Sequence, residues 1–299
     1  MLGYDLPTLF QFIIAGLAVG CVYSLVALGF TVIFNASGIL NFSQGSFVML
    51  GGMLTYVFYD RLGWPLGWAA LAATAVVASI GFMADWLVVA PLWRRHSPLY
   101  TIIIATFGIH IVLENAALLG IGSIGVGLPT FVAGGPVTAL GVSVNLQMLW
   151  IAGVALMIML ALNFFFRRTL TGRAMRACAV NATAASLMGI EVRRMIRYSF
   201  IISAMLGAIA GILITPAQFT QFNVGIPFGL KGFTAAMIGG FGNITGAIVG
   251  GLVLGLLESL GVAFISSRFK DAISFGLLIV ILLLRPRGLF GSLVEEEEV

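Results

Sequence analysis

The 299-residue chain is 60% hydrophobic and only 9% charged, and its mean hydropathy is +1.11. A water-soluble domain carries about 25% charged residues, and a disordered chain combines low hydrophobicity with high net charge, so the composition excludes both classes. Apolar runs of about 20 residues, long enough to cross a bilayer, recur along the chain. The alternation of polar and apolar residues that is typical of a membrane β-barrel is absent. The composition therefore predicts an all-α, polytopic helical membrane bundle that forms one transmembrane domain over residues 1–299.

In chain order, eight apolar runs fall at residues 9–34, 39–59, 64–90, 99–120, 145–166, 198–215, 233–264 and 272–284. Three basic clusters interrupt or follow them: arginines 94 and 95, seven arginines between 167 and 197, and arginines 285 and 287. The positive-inside rule places all three clusters in the cytoplasm. The net charge of +4 is explained by this topology and by contact with membrane lipid, and we expect no nucleic-acid partner.

Threading outward from these clusters gives an external N-terminus and a short cytoplasmic tail at residues 285–299. This orientation requires an odd number of crossings, whereas the chain has eight apolar runs. The run at 233–264 is 32 residues long, and the sequence Gly239-Gly240-Phe241-Gly242-Asn243 interrupts it. We therefore predict about eight transmembrane helices plus a short broken or re-entrant segment. Such a break is tolerated only where protein or a water-filled cavity satisfies the backbone.

A second interruption, at residues 41–46, places four polar side chains inside an apolar region. It precedes Met49-Leu50-Gly51-Gly52, and the same Met-apolar-Gly-Gly pattern recurs at Met237-Ile238-Gly239-Gly240. Paired interruptions in two halves of a transporter indicate a pathway between internal repeats. Chance is an alternative explanation for this match, because the chain has 38 glycines. An internal repeat and a coincidence therefore both stay open.

The arginine-rich loop at residues 167–197 contains an alanine-rich stretch that favours a helix. Asn181 is placed to cap its N-terminus, and Gly189 is placed to end it. Two interpretations of this short cytoplasmic helix remain open. It is an interfacial helix on anionic lipid, or it is a docking helix for a cytoplasmic partner, which small residues such as Ala184 and Ser186 favour because they permit close seating.

Several motifs resemble the branched-chain amino acid permease family, the membrane subunits of binding-protein-dependent ABC importers. These motifs lie at residues 39–45, 172–177, 187–190, 229–233, 239–243, 270–272 and 285–291, in the order of the family. The resemblance implies a multi-pass protein of the bacterial cytoplasmic (inner) membrane. It also implies a second homologous permease subunit, two cytoplasmic ATPase subunits, and a periplasmic or surface-bound substrate-binding protein.

The resemblance further implies that residues 182–189 enter a groove of the ATPase. The coupling residues are then Asn181, Ala182, Thr183, Ala184, Ala185, Ser186, Leu187, Met188 and Gly189. The family usually has acidic residues around 180–184, where this chain has Val180, Ala182 and Thr183. The partner contact is therefore expected to be less electrostatic here.

We predict an importer subunit for branched-chain or other amino acids, or for urea and short amides, that works by alternating access. The predicted lining of the translocation pathway is Asn41, Phe42, Ser43, Gln44 and Gly45, with Gly239, Gly240, Phe241, Gly242 and Asn243 opposite. The chain has no Gly-x-x-x-x-Gly-Lys-Ser/Thr motif, so it has no Walker loop for ATP. We expect no cofactor in this chain, because ATP is used by the partner subunits, and we expect no catalytic or metal site.

Ionisable residues inside the apolar runs are candidates for function because burying them in lipid is costly. We expect Asp85 to pair with Arg94 or Arg95, and Glu258 to form an ion pair with Arg268 or Lys270. His110 and Glu114 lie four residues apart and share a helix face, so we expect them to pair; a polar contact between helices is favoured over a proton relay.

Two further classes of protein are alternatives to an importer subunit. An ion-coupled secondary transporter would use Glu114 as its coupling site. An intramembrane enzyme would need a convergent catalytic set, and we expect neither histidine to have a serine or cysteine together with an acidic partner. Glycines at 246, 250, 251 and 255 form a small-residue ladder, for which helix packing is favoured over a role in a pore.

Overall fold

The computed structural model describes residues 5–95, 97–132, 134–139, 142–285 and 288–291. Its helices are α1 (Leu6–Ser37), α2 (Gln44–Tyr56), α3 (Leu66–Ala84), α4 (Ala90–Arg94), α5 (Leu99–Gly120), α6 (Leu146–Arg168), α7 (Leu170–Val180), α8 (Ala182–Leu187), α9 (Val192–Ile214), α10 (Gly225–Gly239), α11 (Ile244–Phe264) and α12 (Lys270–Leu284). A π-helical turn at Val57–Arg61 extends α2, another at Asp85–Val89 joins α3 to α4, and a 3₁₀ turn at Ser267–Phe269 precedes α12. Strands β1 (Val137–Ala139) and β2 (Val142–Val144) form an antiparallel hairpin.

Six helical segments of the described chain are long and apolar enough to cross a membrane. They are Leu6–Ser37, Leu66–Arg94, Leu99–Gly120, Leu146–Arg168, Val192–Ile214 and Ile244–Phe264. The predicted all-α, polytopic membrane bundle is confirmed. The helices α2, α10 and α12 have only 13 to 15 residues each, so three of the eight apolar runs (39–59, 233–264 and 272–284) contain a helix shorter than a full crossing.

Helix α1 forms the centre of the bundle. Its side chains Val22, Leu25, Val26 and Leu28 are fully buried, and it is apolar on all sides, as expected for a helix surrounded by protein. Helices α9, α10 and α11 pack around it. Helices α3, α5 and α6 instead expose one apolar face, which in a membrane contacts lipid or another subunit.

The predicted break in the run 233–264 is confirmed. Helix α10 ends at Gly239, and Gly240 and Gly242 have φ values of 99° and 89°, which glycine adopts without steric cost. Asn243 then caps α11 by accepting a hydrogen bond from the N–H of Gly246 at 2.9 Å.

The short segment before the break begins at Gly225 and not at residue 233 as the apolar run indicates. Two features hide its first turns from a hydrophobic pattern. Pro227 is tolerated there because the first turn of a helix does not need its N–H. Lys231 is neutralised by Glu258 at 3.2 Å and by Asp271 at 2.8 Å.

The glycine ladder of α11 packs against two different helices. A Cβ at Gly246 or Gly250 would overlap the backbone of α10, and a Cβ at Gly251 or Gly255 would overlap the backbone of α1. Small residues let helix backbones approach closely in a membrane. The expected packing role is therefore confirmed, and the ladder fixes α11 between its two neighbours.

Residues in or beside the three basic clusters come together at one end of the bundle. Trp93, beside the first cluster, lines the same cleft as Cys178 of α7. Phe290, just after the third cluster, accepts a hydrogen bond from Asn243 at 3.1 Å, and Asn243 lines a second cleft together with Arg167. We call this the arginine-rich end. Helix α6 runs from the β1–β2 hairpin to Arg168, so the hairpin marks the opposite end, here called the hairpin end.

Asp85 does not pair with Arg94 or Arg95 as expected. Its carboxylate lies 3.4 Å from Nε of Arg197 on α9. Gly81, one turn earlier on α3, packs directly on Phe200 and Ala204 of α9, and this close approach brings Asp85 to the first turns of α9.

Candidate functional site

The short helices α2 and α10 begin in the interior of the bundle and contact each other at their first turns. A Cβ at Gly45 would overlap the carbonyl oxygen of Gly225, and Gly229 lies against the same turn. The side chain of Gln44 packs on Gly29 of α1, and its Oε1 accepts a hydrogen bond from the hydroxyl of Ser203 on α9 at 2.5 Å. The junction of α2 and α10 is therefore built on glycine contacts and fixed by buried polar groups.

The predicted lining segment 41–45 lies at this junction. Asn41, Ser43, Gln44 and Gly45 are fully buried within the chain, and Phe42 is half-buried. The Oδ1 of Asn41 accepts hydrogen bonds from the hydroxyl and the N–H of Ser43, at 2.6 and 3.1 Å, which orders the entry into α2. Its buried Nδ2 has no partner among the described residues. The lining role of the segment stays a prediction.

A row of aromatic rings connects the two predicted lining segments. The ring of Phe42 lies 6.1 Å from that of Phe233, and Phe233 lies 5.7 Å from Phe241 between ring centroids. Phe34 of α1 contacts Phe241 edge to face at 4.7 Å, a favourable geometry for aromatic pairs. Phe233 thus packs against Phe42 of the first segment and against Phe241 of the second.

The second segment, 239–243, lies at the arginine-rich end. Gly242 accepts a hydrogen bond from Nδ2 of Asn35 at 2.8 Å. The N–H groups of Leu289 and Phe290 donate to the carbonyl oxygens of Ile238 and Gly239, at 2.8 and 3.0 Å. The described part of the C-terminal tail, 288–291, is therefore strapped across the end of α10. Residues 286–287 and 292–299 of the predicted tail, including the acidic run 295–298, lie outside the described residues.

A cleft of about 480 Å³ separates this break from the coupling loop. Its walls come from the ends of α1 and α6, from α7, and from the start of α11. The lining residues are Phe34, Asn35, Asn163, Phe166, Arg167, Arg176, Ala179, Val180, Phe241, Gly242, Asn243, Ile244 and Thr245. The structure thus places the break of the α10–α11 pair directly beside the arginine-rich loop.

The short helix predicted in this loop is α8. The Oδ1 of Asn181 caps it by accepting a hydrogen bond from the N–H of Ala184 at 2.8 Å, and Gly189 ends it with φ of 84°. Ala185 is buried against the bundle, whereas Leu187 and Met188 are 85% and 83% exposed. The outward surface of α8 is therefore these two large apolar side chains together with Thr183, Ala184 and Ser186.

Helix α7 ties α8 to the bundle, and sequence reasoning did not separate it from the loop. Thr169 caps it by accepting a hydrogen bond from the N–H of Gly172 at 3.0 Å. A Cβ at Gly172 would overlap the backbone of Phe165 at the end of α6. Gly172 therefore holds α7 close against α6, which explains a glycine at this point of the arginine-rich segment.

A polar cluster of Ser46, His110 and Glu114 joins α5 to the junction of α2 and α10. The hydroxyl of Ser46 lies 2.5 Å from Nδ1 of His110, and Nε2 of His110 lies 3.1 Å from a carboxylate oxygen of Glu114. A Cβ at Gly225 would lie 3.1 Å from Cε1 of the ring, so the imidazole also packs on the first turn of α10.

The expected His110–Glu114 pair is confirmed, but the expectation that neither histidine has a serine and an acidic partner is wrong for His110. Ser46 lies 64 residues away on another helix, so no local spacing pointed to it. The order serine, histidine, carboxylate occurs in hydrolases. Here the Ser46 hydroxyl is fully buried and not open to a substrate, so the cluster gives no support to an intramembrane enzyme.

A second buried polar cluster surrounds Glu258 of α11. Its carboxylate accepts hydrogen bonds from the hydroxyls of Tyr23 and Ser274, at 2.9 and 2.7 Å, and forms ion pairs with Lys231 and Lys270, at 3.2 and 3.1 Å. The cluster connects α1, α10, α11 and α12. The expected pairing with Lys270 is confirmed, and Lys231 was missed. The sequence did offer a signal for the Lys231–Glu258 pair, since a single lysine and a single glutamate lie in neighbouring apolar stretches.

Two short helices that meet inside a membrane bundle, the second followed by a glycine-rich break, are typical of membrane transport proteins. The family model of the branched-chain amino acid transport system / permease component matches residues 12–282. The chain is 36% identical over 291 residues to the high-affinity branched-chain amino acid transport system permease protein LivH of Escherichia coli (strain K12), with 92% of this chain and 93% of that protein covered.

Further relatives agree. The chain is 36% identical to the permease protein BraD of Pseudomonas aeruginosa, with coverage of 94% and 95%. It is 27% identical to a probable LivH of Methanocaldococcus jannaschii, with coverage of 89% and 88%. The solved structure of PsaBC from Streptococcus pneumoniae in complex with Fab shares the fold, with a TM-score of 0.51 at 15% identity and coverage of 93% and 92%.

The chain belongs to the branched-chain amino acid transport system / permease component family. It is a permease subunit of an ABC importer and a multi-pass protein of the inner membrane. A subunit of this class works with ATPase and substrate-binding partners. The family resemblance seen in the motifs of the sequence is thereby confirmed.

Proposed function

We propose that this subunit translocates branched-chain or other amino acids across the cytoplasmic membrane by alternating access. The observation that carries the proposal is the 36% identity to two branched-chain amino acid permeases over more than nine-tenths of the chain. The lining expected at 41–45 is polar and mostly uncharged, so it binds a solute only weakly. Weak binding suits a subunit that receives its substrate from a binding protein, because a pathway has to release the solute.

We further propose the assembly. A second homologous permease subunit packs beside this chain, and two ATPase subunits bind the arginine-rich end through α8 and hydrolyse the ATP that drives transport. The substrate-binding protein docks at the hairpin end. The exposed Leu187 and Met188 of α8 support this arrangement, since two neighbouring apolar side chains of this size at an aqueous end favour burial against a partner. In this orientation the C-terminus is cytoplasmic and the N-terminus external.

We infer a coupling path from the contacts. Motion of α8 reaches α7, which packs against α1, and Phe34 of α1 contacts Phe241 in the break at 239–243. From this break the row Phe241, Phe233 and Phe42 leads to the junction of α2 and α10. Side chains in van der Waals contact transmit displacement because interiors are closely packed. Movement of the ATPases thus changes the contact between the two short helices.

The proposal is tested by uptake in liposomes. The chain, its second permease subunit, the two ATPases and the binding protein are reconstituted together, and uptake of radiolabelled leucine, isoleucine and valine is measured. We expect uptake only with ATP and all subunits present. Uptake by this chain alone, driven by a proton or sodium gradient, would contradict the proposal and identify an ion-coupled transporter.

A further inference from the structure

The carboxylates of Asp85, Glu114 and Glu258, on the transmembrane helices, differ in how their charge is neutralised. Asp85 pairs with Arg197, and Glu258 lies between two lysines; lysine and arginine remain cationic at neutral pH. The ion-pair partner of Glu114 in the described structure is His110, a side chain that carries charge only when it is protonated. Glu114 is therefore the carboxylate in this set without a permanent counter-ion.

Each ring nitrogen of His110 has one close polar neighbour. Nδ1 lies 2.5 Å from the hydroxyl of Ser46, and a neutral ring that accepts this hydrogen bond carries its proton on Nε2. Nε2 lies 3.1 Å from Glu114, but it makes no well-aligned hydrogen bond, so the contact is electrostatic. The contact with Nε2 orients the carboxylate of Glu114, and a neutral imidazole brings no counter-charge to it.

The carboxylate is also accessible. The side chain of Glu114 is 20% exposed, whereas that of His110 is 3% exposed. His110 and Thr106 hold this face of α5 against α2, through Ser46 and through the N–H of Phe42, which donates to the hydroxyl of Thr106 at 3.2 Å. Glu114 thus lies one helical turn beyond the junction where the predicted pathway residues 41–45 are found.

An uncompensated carboxylate at membrane depth is costly, and the group that relieves this cost is a small cation that can hydrogen-bond to it. We propose that Glu114, oriented by His110 and Ser46, binds the primary ammonium group of the amino acid during its passage. This inference rests on the proposed function. It makes Glu114 a specificity-determining residue, selecting solutes with an ammonium group over uncharged amides of similar size.

The test uses the complete reconstituted importer and counts leucine, isoleucine and valine molecules taken up per ATP hydrolysed. The isosteric variant Glu114→Gln removes the charge and keeps the shape. We expect it to lower uptake per ATP by about tenfold or more, the scale of one charge-assisted hydrogen bond. ATP hydrolysis stimulated by the loaded binding protein is expected to stay at the wild-type level, and Glu114→Asp is expected to restore most of the uptake.

The matched control is Asn115→Gln, at the next position, where the exposed side chain donates to the carbonyl oxygen of Ile111 on its own helix at 2.8 Å. Unchanged uptake per ATP in Glu114→Gln would overturn the inference and leave the proposed function intact. A parallel loss of ATP hydrolysis and uptake in both Glu114→Gln and Glu114→Asp would assign Glu114 a structural role and also overturn it. Failure of the wild-type importer to take up any of the three amino acids would instead contradict the proposed function.

Discussion

At the scale of single residues, the decisive feature is how few charged groups the interior holds and how each one is paired. Lys231 is an example: it forms ion pairs with Glu258 and Asp271, and its Nζ lies 5.7 Å from the centroid of the Tyr23 ring. One side chain therefore links α10 to α1, α11 and α12. Removing one partner of a buried ion pair is expensive because it leaves the other charge uncompensated.

We therefore predict that Lys231→Met destabilises the purified protein by about 3 kcal/mol, measured as the free energy of unfolding in detergent. The control is Arg194→Met, which breaks an ion pair with Glu191 whose two side chains are 59% and 60% exposed. Such exposed pairs contribute less than about 1 kcal/mol. Equal losses of unfolding free energy in the two variants would show that the buried cluster stabilises the fold no more than an exposed ion pair does.

At the scale of elements, the two short helices matter most. Neither α2, with 13 residues, nor α10, with 15, crosses a bilayer alone, since about 20 residues are needed. They are stable because their first turns contact each other through glycines and because the polar groups of Gln44 and Ser203 are satisfied. Backbone outside regular helices is tolerated at this depth only when protein surrounds it.

The variant Gly45→Ala tests this junction. The added methyl group would overlap the carbonyl oxygen of Gly225, and overpacking of this kind costs about 1–3 kcal/mol. We expect a lower melting temperature in detergent and weaker transport. Gly108→Ala is the matched control, because Gly108 lies on the exposed face of α5 with no atom within 4 Å of its Cβ position. A melting temperature in Gly45→Ala as high as that of Gly108→Ala would contradict the proposed contact.

At the scale of the whole molecule, the two ends of the bundle have different tasks. The arginine-rich end brings together the coupling helices α7 and α8, the break between α10 and α11, and the strap at 288–291. The hairpin end holds β1–β2 and the bridge between Val126 and Thr220. The cleft beside the break is therefore placed between the proposed ATPase contact and the junction of the short helices.

We predict that the double variant Leu187→Ser, Met188→Ser weakens binding of the ATPase subunits by about a hundredfold or more, measured by co-purification, since burial of each large apolar side chain is worth roughly 1.5–3 kcal/mol. Both side chains point away from the bundle, so the fold is expected to persist. The control is Ile124→Ser, an equally exposed side chain at the hairpin end. Retention of the ATPases by the double variant would remove α8 as their contact.

Within the described residues, the sequence by itself determined the membrane bundle, the break at 239–243, the capped helix α8 and the shared side of the basic clusters. Each of these follows from local chemistry: runs of apolar residues, glycines with positive φ, an asparagine cap, and arginines that stay in water. The family also followed from the sequence, because its motifs extend along the chain in order.

The tertiary structure decided what depends on residues distant in the chain. Only packing shows that α10 begins at Gly225 against Gly45, that Asp85 pairs with Arg197, and that Ser46 meets His110. The sequence around a side chain in an apolar helix is the same whichever neighbouring helix the side chain contacts. Residue spacing within that helix therefore cannot identify the contact partner. The sparse charge of the sequence placed the chain in a membrane, whereas the pairing of those charges in three dimensions singled out Glu114.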